Sequence, residues 1–164
     1  MTEKIKDGLH TEWYENGKKK LEGTFKDGKL NGLSTTWYGD GQKKEEITFK
    51  DGKLNGLGTT WYKNGQKESE GMIKNEIKDG LSTMWYENGQ KKGEWNYKNG
   101  KRDGLSTMWF ENGKKKIEVN LKNGNFDGLT TKWYENGNKK SDEIYIDGTL
   151  FSVEEWNEDG FVKE

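Results

Sequence analysis

The side chains of this chain that could do chemistry are few, and their spacing decides how they are read. There is no cysteine, which excludes a thiol nucleophile, a disulfide and a cysteine-ligated metal. The one histidine, His10, stands where later equivalent positions hold Ser, Gly or Thr. No serine is placed beside it as an activated nucleophile requires, so it reads as a surface histidine on a terminal strand. A row of acids, Glu22, Glu46, Glu70, Glu94, Glu118 and Asp142, could imitate paired catalytic carboxylates. Its recurrence beside Lys20, Lys44, Lys92, Lys116 and Lys140 instead predicts solvated ion pairs across strands. Asn123 to Gly128 resembles the first half of an EF-hand loop, but Tyr134 stands where the bidentate glutamate belongs. The expectation is no enzyme, no metal and no cofactor.

Binding chemistry has more material. Lys18–Lys20, Lys43–Lys44, Lys91–Lys92, Lys114–Lys116 and Lys139–Lys140 recur at equivalent places near tryptophans, as a single-stranded nucleic acid would require. However, Glu15, Glu87, Glu111 and Glu135 sit in the adjoining turns, Arg102 is the single arginine, and 28 basic and 29 acidic residues cancel to −1. Without a long-range positive field, nucleic acid is excluded as the expected partner. No apolar run approaches the ~18 residues of a membrane-spanning helix. The opening MTEKIKDGLH lacks the apolar segment of a signal peptide, and a cytoplasmic protein is expected.

What positions these residues is a repeat. Trp13, Trp37, Trp61, Trp85, Trp109 and Trp133 fall at a constant step of 24 residues. The same step carries Gly8, Gly32, Gly56, Gly80, Gly104 and Gly128, each followed by leucine, and a threonine and a lysine series besides. The expected organisation is one repeat domain over residues 1–164. It has six 24-residue repeats at about 4–147 and a degenerate C-terminal cap at 148–164, where Trp156 arrives 23 residues after Trp133. There Ser152 is read as replacing the glycine and Val153 the leucine. At the front, Glu3 to Gly8 resembles Asn75 to Gly80.

Each repeat reads as two strands and two turns. Stretches such as Leu33 to Tyr38, rich in Thr and aromatics, suit a pleated surface, and the absence of alanine and proline disfavours helices. Gly39-Asp40-Gly41 fits a three-residue hairpin loop with its last glycine left-handed, and Asp51 to Gly56 reads as a second, six-residue turn. The fold expected is all-β, an elongated antiparallel meander of β-hairpin repeats in a single-layer twisted sheet, roughly 55–60 Å long for a dozen strands. Strand alternation then puts Leu9, Thr11, Trp13, Lys19, Leu21, Gly23 and Phe25 on one face, and Glu12, Tyr14, Lys18, Lys20, Glu22 and Thr24 on the other. On the first face, Phe25 and its equivalents would lie near the next repeat's leucine and tryptophan. Lys19 and its equivalents would lie over the indoles.

The recurring turn, as in Asp51 to Gly56, and Trp61-Tyr62-Lys63-Asn64-Gly65 resemble the MORN repeat, more closely its bacterial variant, over nearly the whole chain. The resemblance implies β-hairpin repeats that bind other proteins or, in some members, membrane lipids. It also implies no catalytic residues. Some relatives are antitoxins or immunity proteins, so a toxin encoded nearby is one implied partner. A membrane- or envelope-associated structural repeat is the alternative.

A single-layer sheet cannot hide both faces, so aromatic rows stay exposed as a recognition surface would. Departures between repeats mark where specificity is expected. Met84 and Met108 replace Thr, Glu or Lys, Trp95 joins Tyr97, and Phe110 replaces the tyrosine represented by Tyr86 in the preceding repeat. These six are the expected partner contacts, while the tryptophan series and Gly32, Gly56, Gly80, Gly104 and Gly128 are the expected scaffold.

Overall fold

The computed structural model describes residues 6–163, so the expectation about Glu3 to Ile5 lies outside the described residues. The described residues are all-β, with antiparallel strands and no helix, as the pattern predicts. They divide into two compact units, the first ending at Ile77 and the second starting at Lys78. The first holds β1 (Gly8–Trp13), β2 (Lys19–Lys26), β3 (Lys29–Trp37), β4 (Lys43–Lys50), β5 (Lys53–Trp61) and β6 (Lys67–Lys74). The second is built from β7 (Ile77–Trp85), β8 (Lys91–Lys98), β9 (Lys101–Trp109), β10 (Lys115–Lys122), β11 (Asn125–Trp133), β12 (Lys139–Ile146) and β13 (Thr149–Glu155). Within each unit every strand pairs with its neighbour in the sequence, giving one meandering layer.

The first hairpin loop of each repeat is as expected. Tyr14 N–H donates to the Lys18 carbonyl at 2.8 Å, closing Glu15-Asn16-Gly17, and Gly17 is left-handed with φ 79°. What the sequence does not announce is an irregularity just after it. Trp13 pairs with Lys19 but Glu12 pairs with Leu21, so Lys20 is an extra residue in β2. The same bulge follows Trp37, Trp61, Trp85, Trp109 and Trp133.

One extra residue inverts the expected faces of the return strand. Directly paired residues share a face, so Glu22 joins Thr11, its partner, while Leu21 joins Glu12. The tryptophan face therefore carries Leu9, Thr11, Trp13, Lys19, Glu22 and Thr24. The other carries Glu12, Tyr14, Lys20, Leu21, Gly23 and Phe25. Phe25 packs opposite Leu30 instead of against the next repeat's leucine and tryptophan.

The second turn is also shorter than expected. Asp51 (φ 52°) and Gly52 (φ 82°) form a two-residue turn with both residues left-handed, the geometry that matches strand twist. Gly56 is not in it. It lies inside β5 at a wider bulge with φ 140°, and a Cβ there would come within 2.7 Å of the Thr48 Cβ.

At the C-terminal end the wide bulge loses one residue. Tyr145 pairs with Leu150 and Ile144 with Ser152, leaving Phe151 alone between them. The deletion explains the early Trp156, and it corrects the expected equivalence. Ser152, not Val153, takes the leucine's place opposite Ile144, and Val153 pairs with Glu143 where Thr130 pairs on the other side.

Little of this is held by an apolar core. Among hydrophobic side chains Trp95, Val119 and Leu121 are buried, and most other buried positions are threonine or serine. Neighbour-to-neighbour rungs carry the rest, as in other repeat proteins.

One turn breaks the rule. Asn75 and Glu76 hold φ 50° and 67°, with glutamate where the other two-residue turns have glycine. A left-handed non-glycine residue costs ~1–2 kcal/mol, and the exposed Lys53–Glu76 pair at 3.7 Å recovers little of it. Glu76→Gly should raise stability by about 1 kcal/mol after glycine's entropy loss. An unchanged or lower urea midpoint would contradict this.

Candidate functional site

The two faces of the sheet are chemically different. On the tryptophan face the same rung is built in repeat after repeat. Lys19 Nζ bonds Glu22 at 2.5 Å and lies 5.5 Å over the ring of Trp37, in the following repeat. Lys43 does the same with Glu46 and Trp61, Lys115 with Glu118 and Trp133, and Lys139 with Asp142 and Trp156. The acid row therefore pairs with the lysine before the one expected, along its own strand across the bulge. Thr11, Thr59 and Thr131 add hydroxyl donors to Glu22, Glu70 and Asp142. These carboxylates are committed to the scaffold.

Tyrosines stitch successive repeats from the opposite face. The Tyr14 hydroxyl donates to the Trp37 carbonyl at 2.7 Å, and Tyr38, Tyr86 and Tyr134 make the same bond to Trp61, Trp109 and Trp156. Burial first, then Glu111 and Glu135, raise the Tyr86 hydroxyl's pKa and keep it a donor. Phe110 has no hydroxyl to give Trp133.

On this second face the positions between the turns change from repeat to repeat. Leu21, Glu45, Ser69, Gly93, Ile117 and Ser141 are equivalent, as are Gly23, Ile47, Gly71, Trp95, Val119 and Glu143. All six expected partner residues belong here, in the second unit. Met84 and Met108 both pair with Gly93, Trp95 with Ser82 and Ser106, and Tyr97 with Gly80 and Arg102. Tyr86 and Phe110 lie under Lys92 and Lys116, each at 5.5 Å.

Two clefts gather some of them. Met108 and Phe110 line an open cleft of about 540 Å³ with Ile117, Tyr134, Lys116 and Lys140. Met108 and Ile117 also line a neighbouring cleft of about 350 Å³, shared with Trp95, Arg102, Val119 and Phe126. Trp95 differs from the expectation of exposed aromatics, being 7% exposed. It leans over Gly93, where a Cβ would meet its ring at 2.2 Å, beneath the Arg102 guanidinium at 5.0 Å. Met84, Tyr86 and Tyr97 line neither cleft. Ile117, Arg102 and Phe126 were missed by sequence reasoning, although the variability of their positions between repeats was there to be read.

The one buried carboxylate of this face is Glu143. Lys132 Nζ donates to it at 2.6 Å, the Ser141 hydroxyl at 2.9 Å and the Tyr145 hydroxyl at 2.8 Å. Burial alone would raise its pKa, but the bonds from Lys132, Tyr145 and Ser141 outweigh that and hold it below the usual carboxylate range. A carboxylate so held is a poor proton donor or acceptor near neutrality, and the cluster is structural. His10 meets Phe25 edge-on at 5.7 Å and Glu12 at 3.8 Å, far from any nucleophile arrangement. Among the described residues no group of three or more acids and histidines could hold a metal. No helix is long and apolar enough to cross a membrane.

The model of a family described as MORN repeat variant matches residues 6–27, 30–51, 54–75, 78–99, 102–123 and 126–147. Among curated proteins none matches the chain.

Two outcomes follow from this geometry. Phe110→Tyr should restore the missing stitch to the Trp133 carbonyl and raise stability by ~0.5–1.5 kcal/mol, read as a shift in the urea midpoint. For Glu143 the folded pKa is the lower one, so its contribution is present above the unfolded value of about 4.3 and is lost as pH falls through the folded value. Stability should therefore hold from neutral pH to about pH 5 and fall below that. Glu143→Gln should lower the plateau and flatten the fall. An equally steep fall in that variant would show that other carboxylates are responsible.

Proposed function

The chain belongs to the MORN repeat variant family, whose members generally mediate binding to proteins or membranes, and from that premise we propose that it is a non-enzymatic protein-binding module. The observation that carries the reading is the division of labour between faces. The tryptophan face repeats its Leu, Thr, Trp, Lys and acid positions, while the opposite face changes from repeat to repeat and holds the apolar clefts. A sheet under selection for folding alone has no need to confine its variation to one face. A recognition surface does.

The proposed contacts are Met84, Tyr86, Tyr97, Met108 and Phe110, with the buried Trp95 supporting them from below. A narrower form of the reading follows from the family resemblance, in which the partner is a toxin encoded nearby and this chain occludes it as an antitoxin or immunity protein. A cytoplasmic site of action belongs to the same proposal.

The test is binding of the purified full chain to the neighbouring gene's product by calorimetry, with growth rescue on co-expression. Met108→Asp and Phe110→Asp should abolish the complex, and Leu57→Asp on the tryptophan face should leave it intact. A complex without rescue would remove the antitoxin form and keep the module. Loss with Leu57→Asp alone would assign binding to the wrong face in this proposal.

A further inference from the structure

The lysines of the two faces differ in how their charge is met. On the tryptophan face Lys19, Lys43, Lys67, Lys91, Lys115 and Lys139 each have a carboxylate at 2.5–2.6 Å. The next position in the bulge sends Lys92, Lys116 and Lys140 to the opposite face, over Tyr86, Phe110 and Tyr134 at 5.5 Å each. None of these three has an ion-pair partner among the described residues. Arg102, over Trp95, likewise has none there and bonds only the Tyr97 hydroxyl, at 3.4 Å. The chain as a whole is near neutral, so this is a local excess of positive charge on the variable face.

That excess surrounds the clefts. Lys116 and Lys140 rim the larger one, countered there by Glu135, and Arg102 rims the smaller. In the wall of the smaller cleft the Ser106 hydroxyl is buried, with no hydrogen-bond partner among the described residues. A buried hydroxyl left unpaired is costly, and it marks a place where a bound group could supply the missing partner. The apolar floor between the cations, Met108, Phe110 and Ile117, exists because Phe110 replaces a stitching tyrosine and Ile117 replaces a small or polar residue.

Resting on the reading of this chain as a protein-binding module, we propose that the partner segment is acidic and carries one large apolar side chain. That side chain seats on Met108, Phe110 and Ile117, and flanking carboxylates meet Arg102, Lys116 and Lys140. The lysines come from β8, β10 and β12, two strands apart, so the carboxylates stand roughly 10 Å from one another. A nucleic acid fits less well, because Glu111 and Glu135 lie in the turns at the same rim and would repel a polyphosphate.

The experiment is selection of random displayed dodecapeptides on the full chain, followed by affinity measurement of the winners. Peptides carrying Asp or Glu about an aromatic or aliphatic residue should be enriched. Replacing their acids with amides, or making Lys116→Gln with Lys140→Gln, should weaken binding roughly tenfold or more, and about 0.5 M salt should do the same. Both lysines are exposed, and an unchanged melting temperature of the double variant separates lost binding from lost folding. Enrichment of neutral or basic peptides on this face would overturn the acidic partner and leave protein binding standing. Absence of any enriched peptide would overturn both. Binding of phosphatidylserine vesicles that disappears in the same double variant would overturn the proposal in favour of a lipid surface.

Discussion

The extra residue after each tryptophan is the feature on which the rest of this structure depends. In a strand, side chains alternate with a period of two, so a one-residue bulge inverts everything beyond it. Here it places two consecutive lysines on opposite faces. Lys19 goes to the tryptophan face, where it reaches Glu22 three residues on and covers the next indole. Lys20 goes to the tyrosine face, where it meets Glu12 at 3.4 Å, while its later equivalents lie over aromatic rings. Without the bulge the acid row would sit away from the indoles, and the Lys–acid–Trp rung could not form.

Those rungs matter because each unit is one layer thick. A packed domain hides apolar side chains between layers, but here the leucines Leu33, Leu57, Leu81, Leu105 and Leu129 stay about half exposed. Cohesion comes from many small terms between successive repeats: a cation over a ring at ~0.5–1 kcal/mol, a tyrosyl hydroxyl on a backbone carbonyl at ~0.5–1.5 kcal/mol, and backbone pairing along every strand. The chain is accordingly rich in charge and poor in aliphatics. Mean hydropathy is −1.26, and the sequence still folds into ordered strands because polar groups build the rungs.

A scaffold made of one face leaves the other free to vary. Met108, Phe110 and Ile117 depart from the repeat without disturbing a single Lys–acid–Trp rung. Phe110 alone gives up a stitch that its equivalents make. The Glu143 cluster shows the same freedom in a different direction, with a buried ion pair where neighbouring repeats put Val119 and Trp95. Such tolerance is what a repeat needs to acquire a specific surface.

How much of this could be read beforehand divides along a physical line. The 24-residue step, the all-β class, the three-residue loop closed by Gly17 and the scaffold roles of the tryptophans are local or periodic properties, and periodicity is visible in one dimension. The candidate contacts Met84, Tyr86, Trp95, Tyr97, Met108 and Phe110 were legible as departures from the step, and they do share a face. Which face Glu22 and Leu21 occupy, which lysine pairs with the acids, and where Ser152 and Val153 fall were not legible. Each depends on counting residues across a strand pair, and Lys20 or Phe151 looks like any other strand residue until its partner is known. The sequence thus determined the elements and their period. Only the paired backbone decided the register, because a bulge belongs to two strands at once and one residue of slip exchanges the faces.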